Sequence, residues 1–261
     1  MTGKTDFNKS ELYTLSIRLG ADGFSFSVFD PAMAESPAST CETRAWDNTL
    51  PLTANLKNIL GKAEWVGRTF RRVNILVSGR RYTIVPQEFF TPETAETIFY
   101  HNHPKQDNET ILYDIRQQHG IALLFGIDRH AYRFLKEQFP DAHFYHQASP
   151  LLECFSIQSR LGNRAKMYVH LRKDAADAFA FSQGRLLTIN SYACREMIDR
   201  LYYLLYLWKS LGFDQQNDEL HLCGQLDAKM QLVDELRKFI RNVYIMNPTE
   251  NIDLQYITTC E

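Results

Sequence analysis

The sequence predicts an α/β protein with mixed sheets, built from two similar halves, and three observations lead there. The chain of 261 residues is 44% hydrophobic and 13% aromatic, enough for a packed core and long enough for one large domain or two small ones. Period-two apolar runs alternate with runs at helical spacing. The second half then starts over. Leu15-Ser16-Ile17-Arg18 lines up with Val169-His170-Leu171-Arg172, and Phe24 and Phe26 answer Phe179 and Phe181 within a one-residue slip. The period is too long for a solenoid, so the repeat reads as two domains, expected at 1–150 and 151–261. Coincidence between two amphipathic hairpins is the alternative.

Leu12 to Leu19 and Phe24 to Phe29 alternate apolar with polar around Gly20-Ala21-Asp22-Gly23, which predicts a β-hairpin. A polar loop follows from Pro31 to Thr40, then a third strand near Arg44 to Thr49. Leu52, Leu56, Ile59 and Leu60 have helical spacing up to Gly61. Arg71 to Val77 and Tyr82 to Val85 are strands flanking Ser78-Gly79. Thr91-Pro92-Glu93 starts a helix toward Tyr100, with Thr as cap and Pro at its first position. Thr110 to Ile115 and Ile121 to Ile127 are strands. Asp128 caps a helix to about Phe139, and His143 to Gln147 is a short strand. Ser149-Pro150 opens a helix that ends near Gly162.

In the second half Met167 to Leu171, Ala176 to Phe181 and Arg185 to Ile189 read as strands with turns at Lys173-Asp174 and Gln183-Gly184. A long helix is expected from about Tyr192 to Leu211. Met197, Leu201, Leu204, Leu205, Trp208 and Leu211 form its inner stripe, and Tyr202, Tyr203 and Tyr206 add bulk on the other side. Glu219 to Leu222 is a strand and Cys223-Gly224-Gln225 a turn. Asp227 caps a helix carrying Met230, Val233, Leu236 and Ile240. Val243 to Met246 is a last strand, stopped by Asn247-Pro248. Thr249 to Glu261 carries no pattern that assigns an element.

Charge narrows the function classes. Lys plus Arg is 29 against 31 for Asp plus Glu, a formal charge of −2, which disfavours a dedicated nucleic-acid binder and attachment to anionic lipids. Met1 to Tyr13 has no apolar h-region, so no secretory signal is expected, and the longest apolar run, Leu201 to Trp208, is far short of a membrane span. Cys41, Cys154, Cys194, Cys223 and Cys260 are dispersed and never in C-x-x-C spacing, which fits a reducing cytoplasm rather than a disulfide framework or zinc site.

Three antiparallel strands, then helix, strand, helix and strand, done twice, resemble the duplicated ribonuclease-H-like arrangement of the actin-like ATPase superfamily. The chain as a whole resembles an uncharacterised bacterial domain family of that fold with no established activity. Active members of the superfamily carry Asp-x-Gly at the end of the first strand of each domain. The glycine lets backbone approach phosphate and the aspartate works through Mg²⁺ or a water. Here the matching residues are Arg18-Leu19-Gly20 and His170-Leu171-Arg172, or Lys173-Asp174-Ala175 if slid. An arginine inverts the sign where a metal-holding acid would stand, although a cation could pair with phosphate directly. The superfamily's adenosine motif would fall on Leu220-His221-Leu222-Cys223-Gly224, with one of its paired glycines left. The resemblance thus implies an inter-lobe cleft with Arg18, Gly20 and Gly224 as its candidate cofactor-binding positions.

Other constellations are weaker. His101-x-His103 with Asp107 lies in a loop marked by Asn102 and Pro104, and no second cluster stands at ligand spacing, so no metal site is expected. His143 and His146 point to opposite faces of a strand. G-x-S-x-G, the Walker pattern and G-x-G-x-x-G are absent, so no catalytic residue is assigned. Arg68, Arg71, Arg72, Arg80 and Arg81, with Phe70 and Tyr82 interleaved, form one basic cluster. It reads as strand-edge charge that deters aggregation, or as a patch for nucleic acid or an acidic partner.

The expectation is therefore a cytoplasmic, non-catalytic binding or assembly protein with degenerate phosphate loops, a protein partner and no cofactor. The alternative is a nucleotide-binding ATPase that takes ATP and Mg²⁺ at an atypical inter-lobe site.

Overall fold

A computed structural model describes residues 7–20, 23–33, 40–224, 229–247 and 251–260. The chain divides into two compact units, Met1–Ser149 and Pro150–Glu261.

In the first unit β1 (Thr14–Leu19), β2 (Gly23–Phe29) and β3 (Thr40–Ala45) form an antiparallel meander. Then come α1 (Leu52–Leu60), β4 (Arg72–Val77), β5 (Tyr82–Pro86), α2 (Ala95–Asn102), β6 (Glu109–Arg116), β7 (Ile121–Asp128), α3 (Arg129–Gln138) and β8 (His143–His146). The main sheet has the order β3-β2-β1-β4-β8, with β1, β4 and β8 parallel. β5, β7 and β6 form a separate antiparallel sheet inserted between β4 and α3. Leu15, Ile17 and Leu19 alternate onto one face and pack with Leu56 and Leu60 of α1 and Ala131 and Leu135 of α3. Thr14 and Ser16 on the other face are buried too, as a central strand requires. Asp128 caps α3, accepting from Ala131 N at 2.8 Å.

α4 (Ala148–Ser159) spans the boundary. The second unit continues with β9 (Lys166–Leu171), β10 (Ala175–Ser182), β11 (Arg185–Ala193), α5 (Met197–Ser210), β12 (Glu219–Gly224), α6 (Lys229–Arg237), β13 (Asn242–Ile245) and a last turn, α7 (Ile252–Gln255). Its sheet order, β11-β10-β9-β12-β13, repeats that of the first main sheet strand for strand. Met167, Val169 and Leu171 pack with Ala176, Ala178 and Ala180 against Leu204, Leu207 and Trp208 of α5 and Leu232 and Leu236 of α6.

Register corrects the sequence alignment of the halves. Leu19 pairs with Phe24, and Leu171 with Ala176, across turns of equal length. Arg18 therefore corresponds to His170, Gly20 to Arg172, and Leu15 to Met167 rather than Val169. Phe24 and Phe26 correspond to Ala176 and Ala178. Phe179 and Phe181 instead lie on the opposite face, where Phe179 meets Phe155 of α4 at 5.1 Å and Phe181 meets Tyr168 at 5.9 Å. The halves keep topology and exchange volume: aromatic strand residues in one, alanines facing a tryptophan-bearing helix in the other.

Two further boundaries move. The third strand ends at Ala45 because Asp47 forms a local turn with Thr49, its Oδ1 accepting from Thr49 N at 2.9 Å. The long helix starts at Met197, not Tyr192, because residues through Ala193 stay paired with β10. The unassigned tail holds α7 and a 3-10 turn at Ile257–Cys260, with Ile252, Leu254 and Ile257 buried. Ala21, Asp22, residues 34–39, Gln225, the expected cap Asp227 and Pro248 lie outside the described residues.

Candidate functional site

The two strand-end hairpins come first. In the first unit Gly20 N donates to Gly23 O at 2.9 Å, closing the turn. The Gly20 carbonyl accepts from Trp46 Nε1 at 2.7 Å. One residue back, Arg18 extends its guanidinium to Ser25 Oγ at 3.2 Å, and Ser25 in turn shares a 3.0 Å hydrogen bond with Thr43. Arg18, Ser25 and Thr43 are cross-strand neighbours on β1, β2 and β3.

In the second unit the same three positions carry His170, Asp177 and Ser191. Arg172 N donates to Ala175 O at 2.8 Å, and the Arg172 carbonyl accepts from Arg200 Nη2 of α5 at 2.8 Å. Arg200 also holds the Lys173 carbonyl at 3.0 Å. The Arg172 side chain folds back on the sheet, placing Nε 2.8 Å from Asp177 Oδ2 and Nη2 3.0 Å from Oδ1. His170 Nδ1 lies 3.7 Å from Oδ2, an ion-pair distance rather than a hydrogen bond. Burial pushes the Asp177 carboxyl up, but the His170 ring and the Arg172 guanidinium outweigh it and hold the group at about 2. Asp177 is fully buried, and both its carboxylate oxygens accept from Arg172 of its own unit. The turn's other acid, Asp174, is exposed, and its carbonyl accepts from Cys194 N at 3.0 Å.

Gly224 ends β12 beside Leu171 with φ +89°. A Cβ there would stand 2.2 Å from the Leu171 carbonyl oxygen and 3.0 Å from the His170 ring, so the position demands glycine for close backbone approach. Arg18 and Gly20 thus share one hairpin, and Gly224 adjoins the equivalent hairpin of the second unit.

The first unit also holds a cavity of about 440 Å³ at the carboxyl ends of β4 and β8, lined in part by Ser78, Arg80, Arg81, Asp107, Asp128 and His146. Its floor is a bidentate pair, Arg81 Nε to Glu109 Oε1 at 2.9 Å and Nη2 to Oε2 at 2.7 Å. Gly126 leaves room for it: a Cβ there would overlap the Glu109 carboxylate. Ala148 N donates to His146 Nδ1 at 3.2 Å, which leaves the ring hydrogen on Nε2 to donate to Gly79 O at 3.1 Å. Ser78 Oγ donates to Gln147 Oε1. The Ser78 hydroxyl and the His146 ring are thus each bonded to other partners rather than to one another.

Three arginines of the basic cluster are engaged separately. Arg68 turns to the Phe7 carbonyl at 2.9 Å, Arg72 to Asn74 and Tyr145, and Arg81 to Glu109. His103 bonds the Tyr82 carbonyl at 3.0 Å through its ring. Among the described residues no three His, Cys, Asp or Glu side chains are grouped to hold a metal, and no helix is long and apolar enough to cross a membrane.

The fold has solved counterparts. A crystal structure from Bacteroides thetaiotaomicron VPI-5482, a protein with actin-like ATPase fold and unknown function, shares 49% identity with this chain. The match covers 99% of this chain and 100% of that one, with a TM-score of 0.92. The model of the family described as "Protein of unknown function (DUF3822)" matches residues 2–243. The chain belongs to the DUF3822 family. Its fold is the actin-like ATPase fold. The structure of a PilM-PilN type IV pilus biogenesis complex shares that fold at 11% identity, with 91% and 89% of the two chains covered and a TM-score of 0.53. No curated protein matches by sequence.

Motif reading located the hairpins of this DUF3822 chain but missed what closes them: Asp177, Arg200 and Trp46. Asp177 had a legible signal. A lone carboxylate in Ala-Ala-Asp-Ala-Phe-Ala-Phe, a run otherwise apolar, calls for a buried cationic partner. Arg200 and Trp46 had none, because both reach their carbonyls across loops.

Proposed function

We propose that this protein works by binding, as an assembly or scaffold component, and does not hydrolyse nucleotide. One observation carries the reading: the strand-end positions where the superfamily resemblance implies metal-holding acids carry Arg18 and His170. Removing a carboxylate beside a divalent cation removes the charge that holds it. Beside His170, the buried acid Asp177 is already paired with Arg172. The side chains that bind the Gly20 and Arg172 carbonyls further tie each turn to its own unit.

Isothermal titration calorimetry with ATP and Mg²⁺, run beside a phosphate-release assay, tests this. The expected result is no phosphate release above that of an Asp174→Ala control. Turnover that Asp174→Ala abolishes would overturn the reading.

A further inference from the structure

Helix α5 buries Leu204, Leu207 and Trp208 and turns a second stripe outward. Ile198, Tyr202 and Tyr206 are 64%, 62% and 59% exposed. Their spacing of four residues places them along one ridge. The Tyr202 and Tyr206 rings stack with centroids 6.1 Å apart. Tyr202 meets Tyr203 edge-on at 5.4 Å, and Tyr203 stacks on Tyr192 of β11 at 4.8 Å. Single exposed apolar residues are ordinary, but a contiguous ridge of this kind marks an interaction surface.

Charge identifies what covers it. Asp199 lies in the first turn of α5 and Lys209 in the last. Both are exposed, and neither side chain has a hydrogen bond or ion pair among the described residues. Ten residues at helical rise separate them by about 15 Å, too far to meet within one helix. A partner rimmed by one sign of charge would leave one of them unsatisfied. A second α5 running antiparallel brings Asp199 of each helix to the Lys209 end of the other and opposes their dipoles.

We propose that this ridge is a self-association surface, on which a second copy of the chain packs its own α5 antiparallel about a two-fold axis. Such a contact is isologous, so each copy gives and receives the same pairs. A ridge of four-residue spacing set against its like crosses at about −50°.

Sedimentation velocity of the full chain across the micromolar range tests the proposal. The expected species is a dimer that Tyr202→Glu with Tyr206→Glu converts to monomer. Asp199→Lys and Lys209→Asp should each weaken association about tenfold, and the two combined should restore it, since the swapped ends are again complementary. Circular dichroism of these surface variants verifies that each is folded. A wild-type chain that is monomeric throughout, a dimer indifferent to the tyrosine substitutions, or a double charge swap no tighter than either single swap would each overturn it.

Discussion

In the first sheet, Arg18 at the strand end donates to a serine hydroxyl that is bonded onward to a threonine. In the second, the equivalent His170 sits beside a carboxylate that is fully buried and gripped by Arg172. The turns are closed by different means as well. Trp46, just past β3, holds the Gly20 carbonyl, whereas Arg200, within α5, holds the Arg172 carbonyl. One scaffold of positions therefore carries two energetic regimes. The neutral Ser25–Thr43 hydroxyl pair loses little when one member goes. A buried ionic cluster leaves uncompensated charge when its centre is removed.

The two hairpins should differ most at those centres. Asp177→Ala should destabilise the chain by about 3–5 kcal/mol, because the half-buried Arg172 guanidinium would lose the anion it faces. Ser25→Ala at the equivalent position should cost about 1 kcal/mol. Urea unfolding of the two variants measures the contrast, and equal losses would show that the hairpins are energetically alike.

Next is Gly224→Ala, expected to cost about 3 kcal/mol through a positive φ and the overlap with the Leu171 carbonyl. Thermal melting reads this loss. A near-neutral result would mean that β12 does not approach the second hairpin so closely.

Acid sharpens the contrast further. Asp177 is held below its ordinary 3.8, at about 2. Its stabilisation is thus fully present above about pH 4 and is lost as pH falls toward 2. The stability deficit of Asp177→Asn should shrink over that window, while any deficit of Ser25→Ala, which involves no titrating group, should stay flat. The smallest effect expected is that of Trp46→Phe, about 1 kcal/mol, from one neutral hydrogen bond to the Gly20 carbonyl. Hydrogen exchange at the β1–β2 hairpin should report it as local opening.

The strand and helix order was legible because central strands such as Leu15–Leu19 alternate cleanly and because caps such as Asp128 act locally. The alignment of the halves was not. Phe24 and Phe26 resembled Phe179 and Phe181 in type, but side chains an odd number of places apart lie on opposite faces of a strand. Only pairing distances reveal that Ala176 and Ala178 take the inner positions, with Trp208 supplying the missing volume from a helix. The separate β5-β7-β6 sheet was hidden for a related reason: its strands were each visible, but which sheet a strand joins is set by long-range pairing. At the candidate site, Arg18 and Gly20 were readable as departures from a motif. The Arg172–Asp177 pair was not, because it depends on a side chain folding back across the turn.

Binding without nucleotide hydrolysis requires Asp177 to be committed to Arg172 of its own unit. A ¹³C NMR titration of its carboxyl carbon, with and without millimolar Mg²⁺, tests this directly. The predicted outcome is a midpoint near 2 that the metal does not move. A midpoint at the usual carboxylate value, or one displaced by Mg²⁺, would contradict it.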